Sequence, residues 1–279
     1  MPDPNNRPHS AIAVTDRTDR EVVVHASRIT KRFLGKRESI NAVSDLTVDV
    51  HAGEFVCLVG PSGCGKSTLL NMTAGLMSPT TGVLLYRSAP VPRPNTKIGY
   101  ITQKDNLLPW ATVADNVGLA LKIRGVPKNQ RRDAVERTIH VLGLDGFAES
   151  YPAQLSGGMR KRAMLGRTLI YKPEALLLDE PFGALDAQLK LVMQQELLRI
   201  CQEEKITTVF VTHDIAEAIT LADRVVVMSK RPGRVKLDCQ IDIARPRDVF
   251  GIRSHPRFGP LHDELWQALG DEMLAGEDM

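Results

Sequence analysis

The sequence predicts an α/β fold on a mainly parallel sheet, and three observations carry that prediction. Phe55–Val59, Ala175–Leu178 and Thr207–Val211 are short apolar runs of the kind found in strands buried on both faces. They alternate with helix-length segments, the pattern of strand–helix–strand crossovers. The first run leads straight into Gly60-Pro61-Ser62-Gly63-Cys64-Gly65-Lys66-Ser67-Thr68, then into a helix-like stretch, Leu69-Leu70-Asn71-Met72. Strand, glycine-rich loop and helix in that order is the context in which G-x-x-x-x-G-K-[ST] cradles a phosphate. Reactive groups in such a sheet collect at the carboxyl ends of the strands.

Met1 to Arg20 is polar and rich in Pro, Asn, Asp and Arg, and reads as a disordered arm. Val22 to Ile29 is β-branched enough for a strand, and Lys31-Arg32-Phe33 leads into a charged loop around Gly35-Lys36-Arg37-Glu38. Leu46, Val48 and Val50 alternate with Thr47 and Asp49, a half-buried strand by its period of two. A helix from Lys66 to Ala74 ends at Gly75, with Pro79 and Gly82 closing a turn. Val83–Tyr86 and Ile98–Gln103 are further strands.

The middle of the chain is helical. Val113 to Arg124 is amphipathic and stops at Gly125, and Pro127 opens a helix to about Leu142. Asp145 to Leu155 is loop and short helix, and Ser156 starts a helix to Leu169. After the strand Ala175–Leu178 comes a long helix, Ala187–Glu204, with Leu189, Val192, Met193, Leu197 and Ile200 apolar. Strand Thr207–Val211, helix Ile215–Leu221 and strands Arg224–Met228 and Val235–Ile243 follow. A tail from 246 to 279 holds Pro246, Pro256 and Pro260 and a short helix at Leu261–Leu269.

Bulk composition excludes several classes. With 43% hydrophobic and 25% charged residues, the 279-residue chain has ordinary globular composition. Its formal net charge of +3 gives no case for a nucleic-acid partner. No apolar run has the length of a membrane span, and the start lacks the apolar core of a secretory signal. Cys57, Cys64, Cys201 and Cys239 form no C-x-x-C pair, which argues against zinc, and their placement suits a reducing, cytoplasmic compartment.

Three stretches carry chemistry. In the glycine-rich loop, Gly60, Ser62, Gly63, Cys64, Gly65, Lys66, Ser67 and Thr68 form the cradle. Backbone N–H groups there point at anionic oxygens, Lys66 reaches the β- and γ-phosphates, and the Ser67 hydroxyl ligates Mg²⁺. Cys64 reads as a small residue that fits the loop rather than as a reactive thiol. Leu178-Asp179-Glu180 ends a buried strand. Alone such a pair is an ordinary polar cap, but behind a phosphate loop Asp179 tunes Mg²⁺ and Glu180 deprotonates an attacking water. Leu155-Ser156-Gly157-Gly158-Met159 places Ser156 as N-cap of a second anion-binding helix start.

Together these stretches resemble one family closely, the ATP-binding subunits of ABC transporters. The resemblance rests on Gly60–Thr68, Gln103, Leu155–Met159, Leu178–Pro181, Ala184-Leu185-Asp186 and His213, in the family's order, over roughly Val22 to Ile243. It implies a P-loop NTPase (RecA-like) core with an antiparallel β subdomain and an α-helical signature subdomain at about 104–166, all within an ATPase domain at 21–245. It also implies ATP and Mg²⁺ as cofactors. Phe33 matches the aromatic that stacks on adenine; Gln103 matches the glutamine that touches Mg²⁺ and the γ-phosphate side. His213 matches the histidine that contacts the γ-phosphate, and Asp186 the aspartate that communicates across a dimer. The family's geometry has Ser156, Gly157 and Gly158 face the ATP of a second copy, which implies a head-to-tail homodimer closing on two ATP molecules. Lys161 stands where a glutamine is usual, which puts contact with the partner's ribose in doubt, and Thr168 replaces a usual alanine.

Leu107-Leu108-Pro109-Trp110 and Arg231-Pro232-Gly233-Arg234 look like the importer group for nitrate, sulfonates, taurine and bicarbonate. Membership implies two integral-membrane permease subunits, a solute-binding protein acting indirectly, and a peripheral place on the cytoplasmic face of the cell membrane. The stretch around Trp110 is expected to be partly exposed, as a docking groove for the permease. An ATPase acting on DNA or ribosomes is the second reading, and a single compact cassette argues against it. A phosphate-loop kinase is the third, and Leu155–Met159 with His213 argues against that.

Overall fold

Long-range pairing, not local composition, decides where the first strands end. In the computed structural model residues 20–35, 39–104, 106–183 and 185–274 are described. The expected arm up to residue 19, Lys36-Arg37-Glu38 of the charged loop, Ala184 and residues 275–279 lie outside them. The strands are β1 (Val22–Leu34), β2 (Ser39–His51), β3 (Phe55–Val59), β4 (Thr81–Tyr86), β5 (Ala89–Pro90), β6 (Ile98–Ile101), β7 (Ala175–Asp179), β8 (Thr207–Val211), β9 (Arg224–Met228) and β10 (Val235–Gln240). β1 runs beyond Ile29 because Phe33 pairs with Ile40 and Leu34 with Ser39, so Lys31-Arg32-Phe33 is strand rather than an approach to a loop. β10 stops at Gln240, three residues short of the expected end.

Two sheets result. β2, β1, β4 and β5 form an antiparallel sheet in that order. The central sheet has the order β10-β9-β3-β8-β7-β6. Its neighbours are parallel throughout except β10 against β9. β3, β7, β8 and β9 are buried along their whole length, and their alternate residues feed two cores. Phe55, Cys57 and Val59 of β3, with Leu176 and Leu178 of β7, join the core under the helices. Val56 and Leu58, with Ala175 and Leu177, join the core under the antiparallel sheet.

The helices are α1 (Lys66–Thr73), α2 (Val113–Ile123), α3 (Lys128–Val141), α4 (Gly157–Leu169), α5 (Ala187–Glu203), α6 (Ile215–Leu221) and α7 (Phe258–Leu274). Thr112 caps α2 through the Asp115 amide and Pro127 precedes α3. The last helix is longer than the expected 261–269, and Phe258, Leu261, Leu265 and Leu269 sit in the same core as the sheet. Arg247 ties this tail down. Its guanidinium donates to the carbonyls of Ile219 and Ala222 at the end of α6, and to Ile241 and Ile243. Burial, with Arg245 nearby, pushes its pKa down to about 10. All four cysteines are buried and free. Among the described residues no helix is long and apolar enough to cross a membrane.

Candidate active site

Strand order brings the motifs together. β3, β8, β7 and β6 are neighbours in the sheet and all four are parallel, so their carboxyl ends emerge along one edge. Leu58 and Asp179 are both level with Val211, and Ile101 is level with Leu178. The phosphate loop, Asp179-Glu180, Thr212-His213 and Gln103 therefore follow four adjacent strand ends.

The phosphate loop is held tightly from behind. A Cβ on Gly65, whose φ is +107°, would lie 2.8 Å from the Ala42 carbonyl oxygen. A Cβ on Gly233, in the β9–β10 turn, would lie 1.9 Å from the Cys64 carbonyl oxygen. Gly233 also donates to the Ala42 carbonyl and accepts from the Ser44 amide, both at 3.0 Å. The turn that holds Arg231-Pro232-Gly233-Arg234 is thus a brace between β2 and the loop. Lys66 is 7% exposed, and its ammonium donates to the carbonyls of Gly60 at 2.6 Å and Pro61 at 2.9 Å. Those are oxygens of the kind a phosphate presents. The first-turn amides of α1 have no partner within the helix, so the loop and helix start together fit an anion. Burial pushes the Cys64 thiol pKa up, against the pull of Lys66, which keeps it a thiol.

Asp179 is buried at the end of β7 and accepts a hydrogen bond from the Ser67 hydroxyl. Burial raises its pKa and the Ser67 bond opposes that rise. A buried carboxylate bonded to a hydroxyl in this way suits a hard cation, so Ser67 and Asp179 fit Mg²⁺. Among the described residues no cluster of three or more His, Cys, Asp or Glu side chains forms a separate metal site.

Glu180 turns out of the strand. Its φ of +48° is unusual for a residue with a side chain and costs about 1–3 kcal/mol. Its amide donates to the Val211 carbonyl at 3.0 Å, which fixes the bend. The carboxylate then meets two other predicted residues. Gln103 Nε2 donates to one oxygen at 3.3 Å, and His213 Nδ1 lies 3.5 Å from the other. Glu180 is 24% exposed and His213 71% exposed, so the three groups face an open rim. Behind them, Phe182 packs against Phe210 with ring centroids 5.7 Å apart.

The remaining predicted residues sit on separate elements. Ser156 caps α4, its hydroxyl accepting from the Met159 amide at 3.3 Å, with Gly157 and Gly158 opening the helix. Asp186 caps α5 through the Leu189 amide at 2.9 Å. Phe33 is near the end of β1, paired with Ile40 of β2, with the Lys31 ammonium 5.3 Å from its ring centroid. Trp110 is 74% exposed while Leu107 and Leu108 are half-buried. Asn116, fully buried, donates to the carbonyls of Leu108, Ala111 and Thr112 and accepts from the Leu108 amide, which fixes the loop that displays Trp110.

One network was not foreseen. Lys190 of α5 reaches Asp214 at 2.9 Å and Glu217 at 3.3 Å. Glu217 also accepts from Gln194 Nε2 at 2.8 Å and from the Thr212 hydroxyl. The Asp214 side chain caps α6 by accepting from the Glu217 amide at 3.1 Å. His213 therefore sits between two residues pinned from below. The sequence signal was there, as Asp214-x-x-Glu217 has the form of a helix start; only the contact with α5 was not local.

The chain is similar to known proteins in sequence and in fold. A sequence profile of the ABC transporter family matches residues 43–183. An ABC transporter ATP-binding protein of Methanocaldococcus jannaschii is 42% identical over 94% of the chain and 96% of its own length. The nitrate import ATP-binding protein NrtD of Synechocystis is 39% identical over 85% of the chain and 91% of its own length. The dimeric post-hydrolysis structure of the ATP-binding cassette MJ0796, bound to ADP and Pi, superposes with a TM-score of 0.72 at 31% identity, covering 79% of this chain and 99% of that one.

Proposed function

Since the chain belongs to the ABC transporter family as an ATP-binding, ATP-hydrolysing subunit, we propose that two copies close head to tail on two ATP molecules and drive import of a small solute such as nitrate, a sulfonate, taurine or bicarbonate. One observation carries this reading: Lys66, Asp179, Glu180, Gln103 and His213 follow four adjacent parallel strands, three of them meeting at the Glu180 carboxylate. The dimeric state of the ADP- and Pi-bound cassette supports the two-copy arrangement. The name of the Synechocystis relative supports the solute class.

The chain's own residues divide the work. The phosphate loop, Gly60 through Thr68, binds the phosphates, and Lys66 exchanges its carbonyl partners for β- and γ-oxygens. Phe33 stacks on adenine. Ser67 and Asp179, with Gln103 close by, would hold Mg²⁺, which would supply positive charge to offset that of the phosphates. Glu180 removes a proton from the attacking water; Gln103 and His213 orient its carboxylate, and His213 holds the γ-phosphate. Ser156, Gly157 and Gly158 offer a second helix start to the partner's ATP, and Asp186 meets the partner beside it. Trp110 and the half-buried Leu107 and Leu108 give an apolar edge for a permease segment, which sets the subunit on the cytoplasmic face of the membrane.

Glu180→Gln tests the reading. It keeps the hydrogen-bonding shape and removes the base, so hydrolysis falls about 10²–10⁴-fold, and ATP accumulates a dimer visible by light scattering. Turnover near wild type, or a particle that stays monomeric with ATP, overturns it. Co-purification with a hydrophobic permease tests the transport assignment.

A further inference from the structure

Lys161, in the second turn of α4, has no task in the function above. Its ammonium donates to the backbone carbonyl of Gln103 at 2.7 Å, within the same chain. Its stem lines a narrow crevice with Ile101, Pro181, Phe182 and Leu185. Those neighbours precede Gln103, follow Glu180 and precede Asp186, so three functional stretches meet one side chain. The charge of Lys161 also favours the ionised form of Asp179.

We propose that Lys161 is a positioning residue: an intrachain latch that fixes the start of α4 to the Gln103 segment, and not a contact to the nucleotide held by the partner. A charged donor makes one of the stronger hydrogen bonds, and lysine reaches further than glutamine. With the latch made, movement of Gln103 toward ATP in its own site carries Ser156 with it. Binding in one site thereby sets the helix start that the other site needs. This rests on the dimer reading above, but its first test does not.

Amide hydrogen exchange on the nucleotide-free full chain reads the latch directly. Lys161→Met keeps the stem and removes the donor, so exchange around residues 101–104 rises about tenfold, the size expected for losing a charge-assisted bond. Lys161→Arg restores slow exchange, and the melting temperature stays put in both. The second readout is nucleotide choice. In a Glu180→Gln background, the ratio of ATP to 2′-deoxy-ATP needed to form the dimer is the same with and without Lys161→Met. Wild-type exchange in Lys161→Met overturns the latch. A changed ratio also overturns it, by assigning Lys161 to the ribose. If Lys161→Met does not fold, Lys161→Gln is measured instead, and faster exchange with an unchanged ratio is again required. A Glu180→Gln chain that never dimerises sinks the dimer reading, and the exchange rates then decide the latch alone.

Discussion

Gly233 shows how a residue outside every catalytic motif can govern one. Its missing side chain is what lets the β9–β10 turn lie against the Cys64 carbonyl, where a Cβ would sit at 1.9 Å. Backbone oxygen cannot swing away as the end of a side chain can, so an added methyl must displace the phosphate loop or the turn. Both partners of the turn are backbone, Ala42 and Ser44 of β2, which leaves the loop as the part that yields. Gly233→Ala is expected to weaken ATP binding about tenfold or more, equivalent to about 1.4 kcal/mol, with a smaller effect on turnover at saturating ATP. Fluorescence titration with a labelled ATP analogue measures the first and steady-state kinetics the second. Unchanged affinity would show that the turn gives way instead. Glu180 is the opposite case: its φ of +48° is tolerated with a full side chain because the Val211 carbonyl fixes its amide and the bend aims the carboxylate at Gln103 and His213.

At the scale of elements, α5 and α6 are joined by Lys190, Asp214 and Glu217. The amide of Lys190 bonds the Asp186 carbonyl at 2.9 Å, so one residue links the start of α5 to the segment that carries His213. Lys190→Met leaves Glu217 buried with one partner fewer and frees that segment, so hydrolysis is expected to fall about tenfold with ATP affinity unchanged, the cost of a lost charged bond. Lys190→Arg recovers most of it. The deficit has a defined pH range. Burial favours neutral Lys190, but Glu217 and Asp214 outweigh it and raise its pKa. Burial likewise raises Asp214, and Lys190 with the Glu217 amide outweighs it and lowers its pKa. A raised lysine keeps its contribution until pH climbs through its folded pKa; a depressed aspartate loses its contribution only as pH falls through its own. The gap between Lys190→Met and wild type is therefore flat from about pH 5 to 9, and a gap that opens or closes inside that window counts against the ion pair. What the sequence made legible at this scale was local. The strand–loop–helix at Phe55–Met72, the Ser156 cap and the apolar runs of β7 and β8 are set by neighbours in the chain. What it hid was set by distant partners. The reach of β1 to Leu34 depends on pairing with β2, the length of α7 on the core it covers, and the Lys190 tie on how α5 and α6 pack.

For the whole molecule the question is whether one chain holds a complete site. Ser156 belongs to the helical layer and Lys66 to the sheet edge, and the proposed dimer has each copy lend its Ser156 helix start to the other's ATP. Ser156→Asp separates that role from folding. Aspartate is as good an N-cap as serine, so α4 keeps the bond to the Met159 amide. The added charge, however, would face the partner's γ-phosphate, and like charges at close range repel. The variant should bind ATP as wild type does and neither dimerise nor hydrolyse. Lys66→Ala should fail for the other reason, since its own phosphate cradle is broken. Mixing the two inactive proteins then gives a decisive result. In a mixed pair, one site combines the broken cradle with the charged helix start, while the other combines an intact cradle with an intact helix start. Shared sites therefore predict that activity reappears on mixing, rises with total protein concentration and peaks near equal amounts. Sites complete within one chain predict none at any ratio, because each copy would carry its own defect. Recovery on mixing would tie Lys66 of one copy to Ser156 of the other, which no single-chain variant can do.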